Sequence, residues 1–254
     1  MVISGNTRLI AHLGYPTAKF KAPMIYNPWL VHQQVDAKVV PMGVKPEDYA
    51  AFVPMLFKMT NIIGALVTMP HKIATCGLVQ RLSPTAAIAG ACNAIRAEAD
   101  GTLSGDMFDG EGFVLGIKRK GFQTRGARAL VVGSGGVGSA IAASLAAAGV
   151  SALTLYDVRS RTAEALAGRL LQHYPRLDIT LMRRDPQGHD LVVNATPLGM
   201  KEGDPLPLDP QRLTPGTFVG EVVMAQEFTP LLQAARAAGC PIQRGTDMLF
   251  ELSL

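Results

Sequence analysis

The 254-residue sequence lacks the features that mark several classes of protein. It holds three cysteines, Cys76, Cys92 and Cys240, with no metal-ligand spacing and no even count for a disulfide framework. No metal site is expected. Thiols of this kind suit small buried positions in a reducing cytoplasm, which is the expected location. No apolar run reaches the roughly 18 residues a membrane span needs, so no membrane partner is expected. The N-terminal stretch MVISGNTRLIAHLG lacks the layout of a secretory leader. Only 17% of residues are charged, and the net charge of +4 is scattered. The one basic cluster, Lys118-Arg119-Lys120, is short and runs into Gly121. It reads as a helix or loop end, and no nucleic-acid partner is expected. There are no repeats and no low-complexity segment.

What remains is a globular composition, 48% hydrophobic, long enough for one large domain or two modest ones. Its centre is the stretch RALVVGSGGVGSAIAASLAAAGVSALTLYDVRSR, Arg128 to Arg161. Ala129 to Val132 reads as a buried parallel strand. Gly133-Ser134-Gly135-Gly136-Val137-Gly138 follows, then an alanine-rich helix over Ser139 to Ala148, closed by Gly149. A second strand, Ala152 to Tyr156, ends at Asp157. In a dinucleotide site Gly133 permits the tight turn, Gly135 leaves the pyrophosphate room, and Gly138 lets the helix lie close to the strand. The helix N-terminus offers free N–H groups to the phosphates. A glycine-rich turn alone says little, but one placed after a strand, before a helix and ahead of an acid predicts NAD or NADP. Asp157 favours NAD, because a carboxylate accepts both ribose hydroxyls and repels a 2′-phosphate. Arg159 and Arg161 argue the other way.

The flanking segments alternate strands and helices, which predicts an α/β fold of two domains. Strands are predicted over Thr7 to Gly14, Lys38 to Met42 and Ile62 to Val67, and helices over Met24 to Gln34, Pro46 to Lys58 and Ile73 to Arg81. A strand pair, Ala91 to Arg96 and Leu103 to Asp106, turns at Asp100-Gly101. Residues 1–109 form the expected substrate domain, and 110–245 a doubly wound Rossmann domain. Residues 246–254 are expected to return towards the first domain. The candidate proton-transfer residues are Lys72, which follows a strand through Thr68-Met69-Pro70-His71, and Asp109, in a Gly-Asp-x-x-Asp-Gly loop. A lysine of lowered pKa can take a hydroxyl proton and a carboxylate can orient it. Taken singly, each also reads as an ordinary surface or turn residue.

At five places the sequence resembles the shikimate/quinate dehydrogenase family. Gly64-Ala65-Leu66-Val67-Thr68-Met69-Pro70-His71-Lys72 resembles G-x-N-V-T-x-P-x-K, and Gly90-Ala91-Cys92-Asn93-Ala94 resembles G-A-x-N-T. Gly105 to Gly110 resembles G-x-N-T-D-G, Asn194 to Met200 resembles N-A-T-S-x-G-M, and Gly245 to Leu249 resembles G-x-x-M-L. The resemblance implies that Lys72 and Asp109 are the catalytic pair and that Thr68 and Asn93 bind substrate hydroxyls. It also implies that Asn194, Thr196, Met200, Gly245 and Met248 surround the nicotinamide.

The departures fall on the substrate side. In the family's first motif, G-x-P-x-x-H-S-x-S-P, two serines hold the substrate carboxylate. Here Phe20 and Ala22 stand in their places, and Leu66 replaces an asparagine. Glu221-Val222-Val223-Met224 lacks the tyrosine of D-x-x-Y, and Leu252 stands where a glutamine is usual, unless Glu251 shifts in. A ring cannot replace a hydroxyl that pairs with a desolvated carboxylate. These changes predict an NAD-dependent alcohol dehydrogenase of this type acting on a small ring hydroxy acid other than shikimate. Two alternatives stay open. One is a non-catalytic NAD-binding sensor or partner-binding module. The other is a shikimate or quinate dehydrogenase that binds the carboxylate through Lys19 or Lys21. The expected assembly is a monomer or homodimer. The family's closing helix is expected to be absent or to lie beyond Leu254.

Overall fold

The computed structural model describes residues 3–251. The chain divides after Met107 into two compact units, the second beginning at Phe108. Asp109 therefore belongs to the second unit, two residues earlier than the boundary read from the sequence.

The first unit runs β1 (Arg8–Gly14), a 3₁₀ turn (Thr17–Lys19), α1 (Ala22–His32), β2 (Ala37–Gly43), α2 (Pro46–Leu56) and β3 (Ile62–Val67). It continues with α3 (Lys72–Thr75), β4 (Arg81–Leu82), α4 (Pro84–Ala89), β5 (Ala94–Ala97) and β6 (Leu103–Asp106). The sheet order is β2-β1-β3-β5-β6-β4. β1 pairs in parallel with β2 and β3, whereas β5 is antiparallel to both β3 and β6. The strand pair turns at Gly101, whose φ of 81° suits glycine.

Local chemistry accounts for the helix starts. Pro46 opens α2 with Glu47 and Asp48 in the first turn, where acids complement the helix dipole. Ser83 caps α4, its side chain accepting from Ala86 N at 3.1 Å. The helix expected over 73–81 is instead the single turn α3. Gln80 N donates to Leu103 O at 2.9 Å, and Gln80 Oε1 accepts from Leu103 N at 2.8 Å. This pairing draws the chain into β4 beside β6, so tertiary contacts override a helical pattern.

Alternation along β1 sets the two faces of the sheet. Ala11 and Leu13 point into the larger core with Tyr49, Val53 and Val67. Ile10 lies on the opposite face, where Leu30, Ala37, Val39 and Leu66 pack beneath α1. His12 alternates onto that face and is in register with Leu66 of β3.

The second unit runs α5 (Asp109–Arg119), β7 (Arg128–Val132), α6 (Gly136–Ala147), β8 (Ala152–Tyr156), α7 (Ser160–His173) and β9 (Asp178–Leu181). Then come β10 (Leu191–Asn194), a 3₁₀ turn (Pro210–Arg212), β11 (Phe218–Glu221), α8 (Pro230–Ala237), β12 (Ile242–Gln243) and α9 (Gly245–Glu251). Six parallel strands lie in the order β12-β11-β10-β7-β8-β9. The order reverses between β7 and β10, the switch point at which such sheets bind ligands. β7 is buried from Ala129 to Val132, as a central strand covered on both faces requires. α9 packs on α5 within this unit. Leu252, set against the family glutamine, lies outside the described residues, as does the side chain of Glu251.

Candidate active site

In the first unit, β1 and β3 end side by side. Thr68 N donates to Leu13 O at 2.9 Å and Tyr15 N to Met69 O at 3.1 Å. The turn leading to Lys72 is anchored from below. His71 Nε2 lies 2.7 Å from Val44 O, and its ring stacks on Tyr49 at 3.9 Å. The Tyr49 hydroxyl lies 2.7 Å from Thr75 Oγ1, and burial pushes its pKa up to about 12. Lys72 O accepts from Cys92 N at 2.8 Å, which ties α3 to the segment carrying Asn93. Asn93 in turn bonds through its backbone to Val67 and Asp106, at 2.7 and 2.9 Å. Thr68, Lys72 and Asn93, all half-buried, are thus gathered around the C-terminal end of β3. Cys76 and Cys92 sit beneath them with their sulfurs 3.6 Å apart.

Phe20, one of the residues that depart from the family pattern, borders the same edge. A Cβ placed on Gly14 would lie 2.5 Å from Thr68 Cγ2 and 2.7 Å from Phe20 Cζ, so Thr68 and Phe20 converge over this glycine. The Phe20 ring also lies 4.2 Å from the ring of His12. Ala22 opens α1, and Leu66 packs into the apolar cluster beneath that helix. Positions 20, 22 and 66 therefore offer no side-chain hydrogen bond to a carboxylate. Lys21 is exposed, and the side chain of Lys19 lies outside the described residues.

His12 was not singled out in the sequence, and it is an enclosed polar side chain at this edge. It is 6% exposed, and its Nδ1 is buried with no hydrogen-bond partner among the described residues. Burial, and after it the nearby charge of Lys72, lowers its pKa to about 4. The available signal was a histidine at an otherwise apolar position in a strand, too common a pattern to decide anything.

In the second unit the glycine turn takes the form that the sequence predicts. Gly133 has φ of 102°, and a Cβ there would meet Ala195 O at 2.7 Å. A Cβ on Gly138 would lie 1.9 Å from Gly133 O, so α6 rests directly on the turn. A Cβ on Gly135 or Gly136 would meet nothing within 4 Å. Ser134 Oγ is buried without a partner among the described residues, and no acid lies in the first turn of α6. An open, positively polarised cradle with an orphaned hydroxyl fits the pyrophosphate of a dinucleotide. Asp157, at the end of β8, is buried with both oxygens held. Oδ2 accepts from Ser134 N at 2.8 Å and Oδ1 from Arg159 N at 2.9 Å. The guanidinium of Arg159 is largely exposed, its Nε 3.8 Å from Asp157 Oδ1.

Asn194, expected near the cofactor, is held by its own neighbours at the end of β10. It is fully buried, and its Nδ2 donates to Leu198 O and to both oxygens of Glu221 at 3.0–3.1 Å. Its Oδ1 accepts from Thr196 N at 3.1 Å and Thr196 Oγ1 at 2.7 Å. With its amide committed, Asn194 positions the 194–200 loop and leaves Thr196 half-buried and Met200 exposed. Glu221, noted in the sequence only for the tyrosine lost after it, also accepts from Val222 N, Val223 N and Thr229 Oγ1. Burial raises its pKa, opposed by these hydrogen bonds. Gly245 is required where it stands, since a Cβ would lie 2.3 Å from Val223 O. Met248 is buried one turn further along α9. Asp109 opens α5 and is buried. Among the described residues no cluster of histidine, cysteine, aspartate or glutamate is placed to hold a metal ion. No helix among the described residues is long and apolar enough to cross a membrane.

Comparison with known proteins places the chain in a family. Residues 13–95 match the shikimate dehydrogenase substrate binding domain. A protein of Acidiphilium cryptum named shikimate dehydrogenase (NADP(+)) is 38% identical over 252 residues, covering 99% of this chain and 89% of that relative. The crystal structure of shikimate 5-dehydrogenase from Listeria monocytogenes in complex with shikimate and NAD has a TM-score of 0.90 at 26% identity, covering 99% of this chain and 90% of that one. The ligand-free 5-ketofructose reductase of Gluconobacter sp. has a TM-score of 0.88 at 25% identity, covering 98% and 91%. Identity of this order sustained over nearly the whole length, on a shared two-domain fold, means that the chain belongs to the shikimate dehydrogenase family, NAD(P)-dependent oxidoreductases acting on CH–OH donors.

Proposed function

We propose that the protein transfers hydride between NAD and a carbinol carbon of a small hydroxylated substrate other than shikimate. The nicotinamide, when bound, supplies the hydride acceptor or donor. The remaining work falls to side chains. In the oxidative direction Lys72 takes the proton from the substrate hydroxyl at Nζ as the C–H hydride leaves, and passes it to water. In reduction the proton returns by the same route. Asp109 orients Lys72, while Thr68 and Asn93 hold substrate hydroxyls, as the family motifs imply.

The reading of the substrate rests on Phe20. Its ring occupies the edge above Gly14 beside Thr68, where a serine hydroxyl would be needed to pair a carboxylate. A buried carboxylate left unpaired costs several kcal/mol, so a pocket built this way selects against shikimate. The reading of the cofactor rests on Asp157. Both its oxygens are fixed by backbone amides, so the carboxylate cannot swing away from a 2′-phosphate. The related protein of Acidiphilium cryptum is named for NADP, which makes this a direct point of difference. Three free cysteines support a cytoplasmic location, with the protein acting as a monomer or homodimer.

Initial rates with NAD and with NADP, measured on shikimate, quinate and a panel of ring and chain hydroxy compounds, test the proposal. Saturable turnover with NAD on a compound other than shikimate is the expected result. A kcat/KM highest with shikimate and NADP would overturn both readings.

A further inference from the structure

The edge of the first unit that carries Lys72 also holds an enclosed polar atom that lies outside the motifs carrying the family resemblance. His12 alternates out of the main core onto the face shared with Leu66, and Phe20 covers its ring at 4.2 Å. Nδ1 is buried without a partner among the described residues. An unpaired buried nitrogen is unfavourable and calls for a partner, which at a substrate edge a ligand can supply. Its neighbours at this edge are Phe20 and Leu66, neither of which can bond it.

We propose that His12 is a specificity-determining residue whose Nδ1 hydrogen-bonds an uncharged hydroxyl or carbonyl oxygen of the substrate, at the edge where family members hold a carboxylate. The substrate class is then a polyhydroxylated alcohol or ketone that is uncharged at the end facing β1. This deepens the function proposed above and rests on it. Two physical features support it. First, Lys72 is close enough to act on the imidazole electrostatically, and together with burial keeps it neutral at physiological pH. A neutral ring offers a carboxylate no charge to replace its lost hydration, whereas a hydroxyl can donate to or accept from Nδ1 in either tautomer. Second, Phe20 gives the apolar backing that a carbon ring or chain needs and fixes the imidazole by contact. The likeness to a reductase named for 5-ketofructose, a keto sugar without a carboxylate, is consistent with this class.

The test uses the full chain with His12→Ala and His12→Asn, the second keeping a polar atom near the position of Nδ1. Quinate and shikimate serve as acids and myo-inositol as an uncharged polyol, all oxidised with NAD, and 5-ketofructose as an uncharged polyhydroxy ketone, reduced with NADH. The wild type should favour an uncharged polyol over both acids in kcat/KM. His12→Ala should raise KM for that polyol about tenfold or more with little change in kcat, the expected cost of one lost hydrogen bond. His12→Asn should recover most of the loss, and NADH affinity should be the same in all three proteins. A purely structural histidine would move the melting temperature but not KM, and unchanged KM in His12→Ala overturns the proposal while leaving the dehydrogenase standing. Preference for an acid overturns it as well. Absence of turnover on every compound, with NADH bound, overturns the proposed function and this inference with it.

Discussion

Replacing Gly138 with alanine probes the contact on which the nucleotide half-site depends. The added methyl would fall 1.9 Å from the carbonyl oxygen of Gly133 and 3.1 Å from Ala195 Cβ. Side-chain carbons essentially never approach within 3.0 Å, so α6 and the turn must separate by about 1.1 Å. The obstacle is backbone, held at a φ of 102° that leaves little room to adjust. Overpacking of this kind costs about 1–3 kcal/mol. For a chain of this size that lowers Tm by roughly 2–12 °C. The same displacement moves the N–H groups of α6 off the pyrophosphate, and each charge-assisted hydrogen bond lost weakens NADH binding by about tenfold or more. Gly135→Ala is the matched control. Its methyl meets nothing within 4 Å and its φ of −72° suits alanine, so Tm should hold or rise slightly. Because it fills the open cradle, binding should still be lost. Thermal melts and calorimetric titration with NADH separate the two effects. Wild-type Tm and affinity in Gly138→Ala would refute the close packing, and wild-type affinity in Gly135→Ala would refute the cradle.

Lys72→Ala should lower kcat by about 10²–10⁴-fold, the usual contribution of a positioned acid–base group, with NADH affinity unchanged; equal activity would remove Lys72 from the mechanism. Asp157→Asn keeps an oxygen for the amide of Ser134 but removes the charge. The kcat/KM ratio of NADP to NAD should rise about tenfold or more, and a constant ratio would show that Asp157 does not select the cofactor. His12 titrates at about 4 in the folded chain against 6.5 when free, so as pH falls from 6.5 towards 4 the unfolded state gains a proton that the native state does not. Native stability should fall over that window by roughly 2–3 kcal/mol on account of His12, read from denaturant melts, and the fall should be smaller in His12→Asn, where His189, also held neutral by burial, still contributes. Cys76 is half-buried with its thiol pKa lowered, chiefly by its hydrogen bond with Cys92, whereas Cys92 is buried with its pKa raised. Peptide mapping after brief alkylation should therefore find Cys76 labelled first, and equal labelling would contradict the pairing.

Much of the site is legible in the sequence because its signals are local. The strand at Ala129 to Val132, the glycine turn and Asp157 follow one another within a single crossover, and each has a steric or electrostatic reason visible in the residue itself. Lys72 likewise follows directly from the end of β3. The alternation in β1 places Ala11 and Leu13 on one face and His12 on the other, as the period of a strand demands. Tertiary structure decided what depends on groups distant in the chain. The helix expected after Lys72 shrank to one turn because Gln80 found Leu103. Asn194, expected at the cofactor, is committed to Glu221 and Thr196, a pairing that no spacing along the chain announces. His12 reads as one histidine in an apolar strand until Phe20 covers it, Lys72 comes near and Nδ1 is left without a partner. Periodicity and turn chemistry are properties of neighbouring residues and survive in a sequence. Whether a buried polar atom is satisfied is a property of everything packed around it, and only the folded chain decides that.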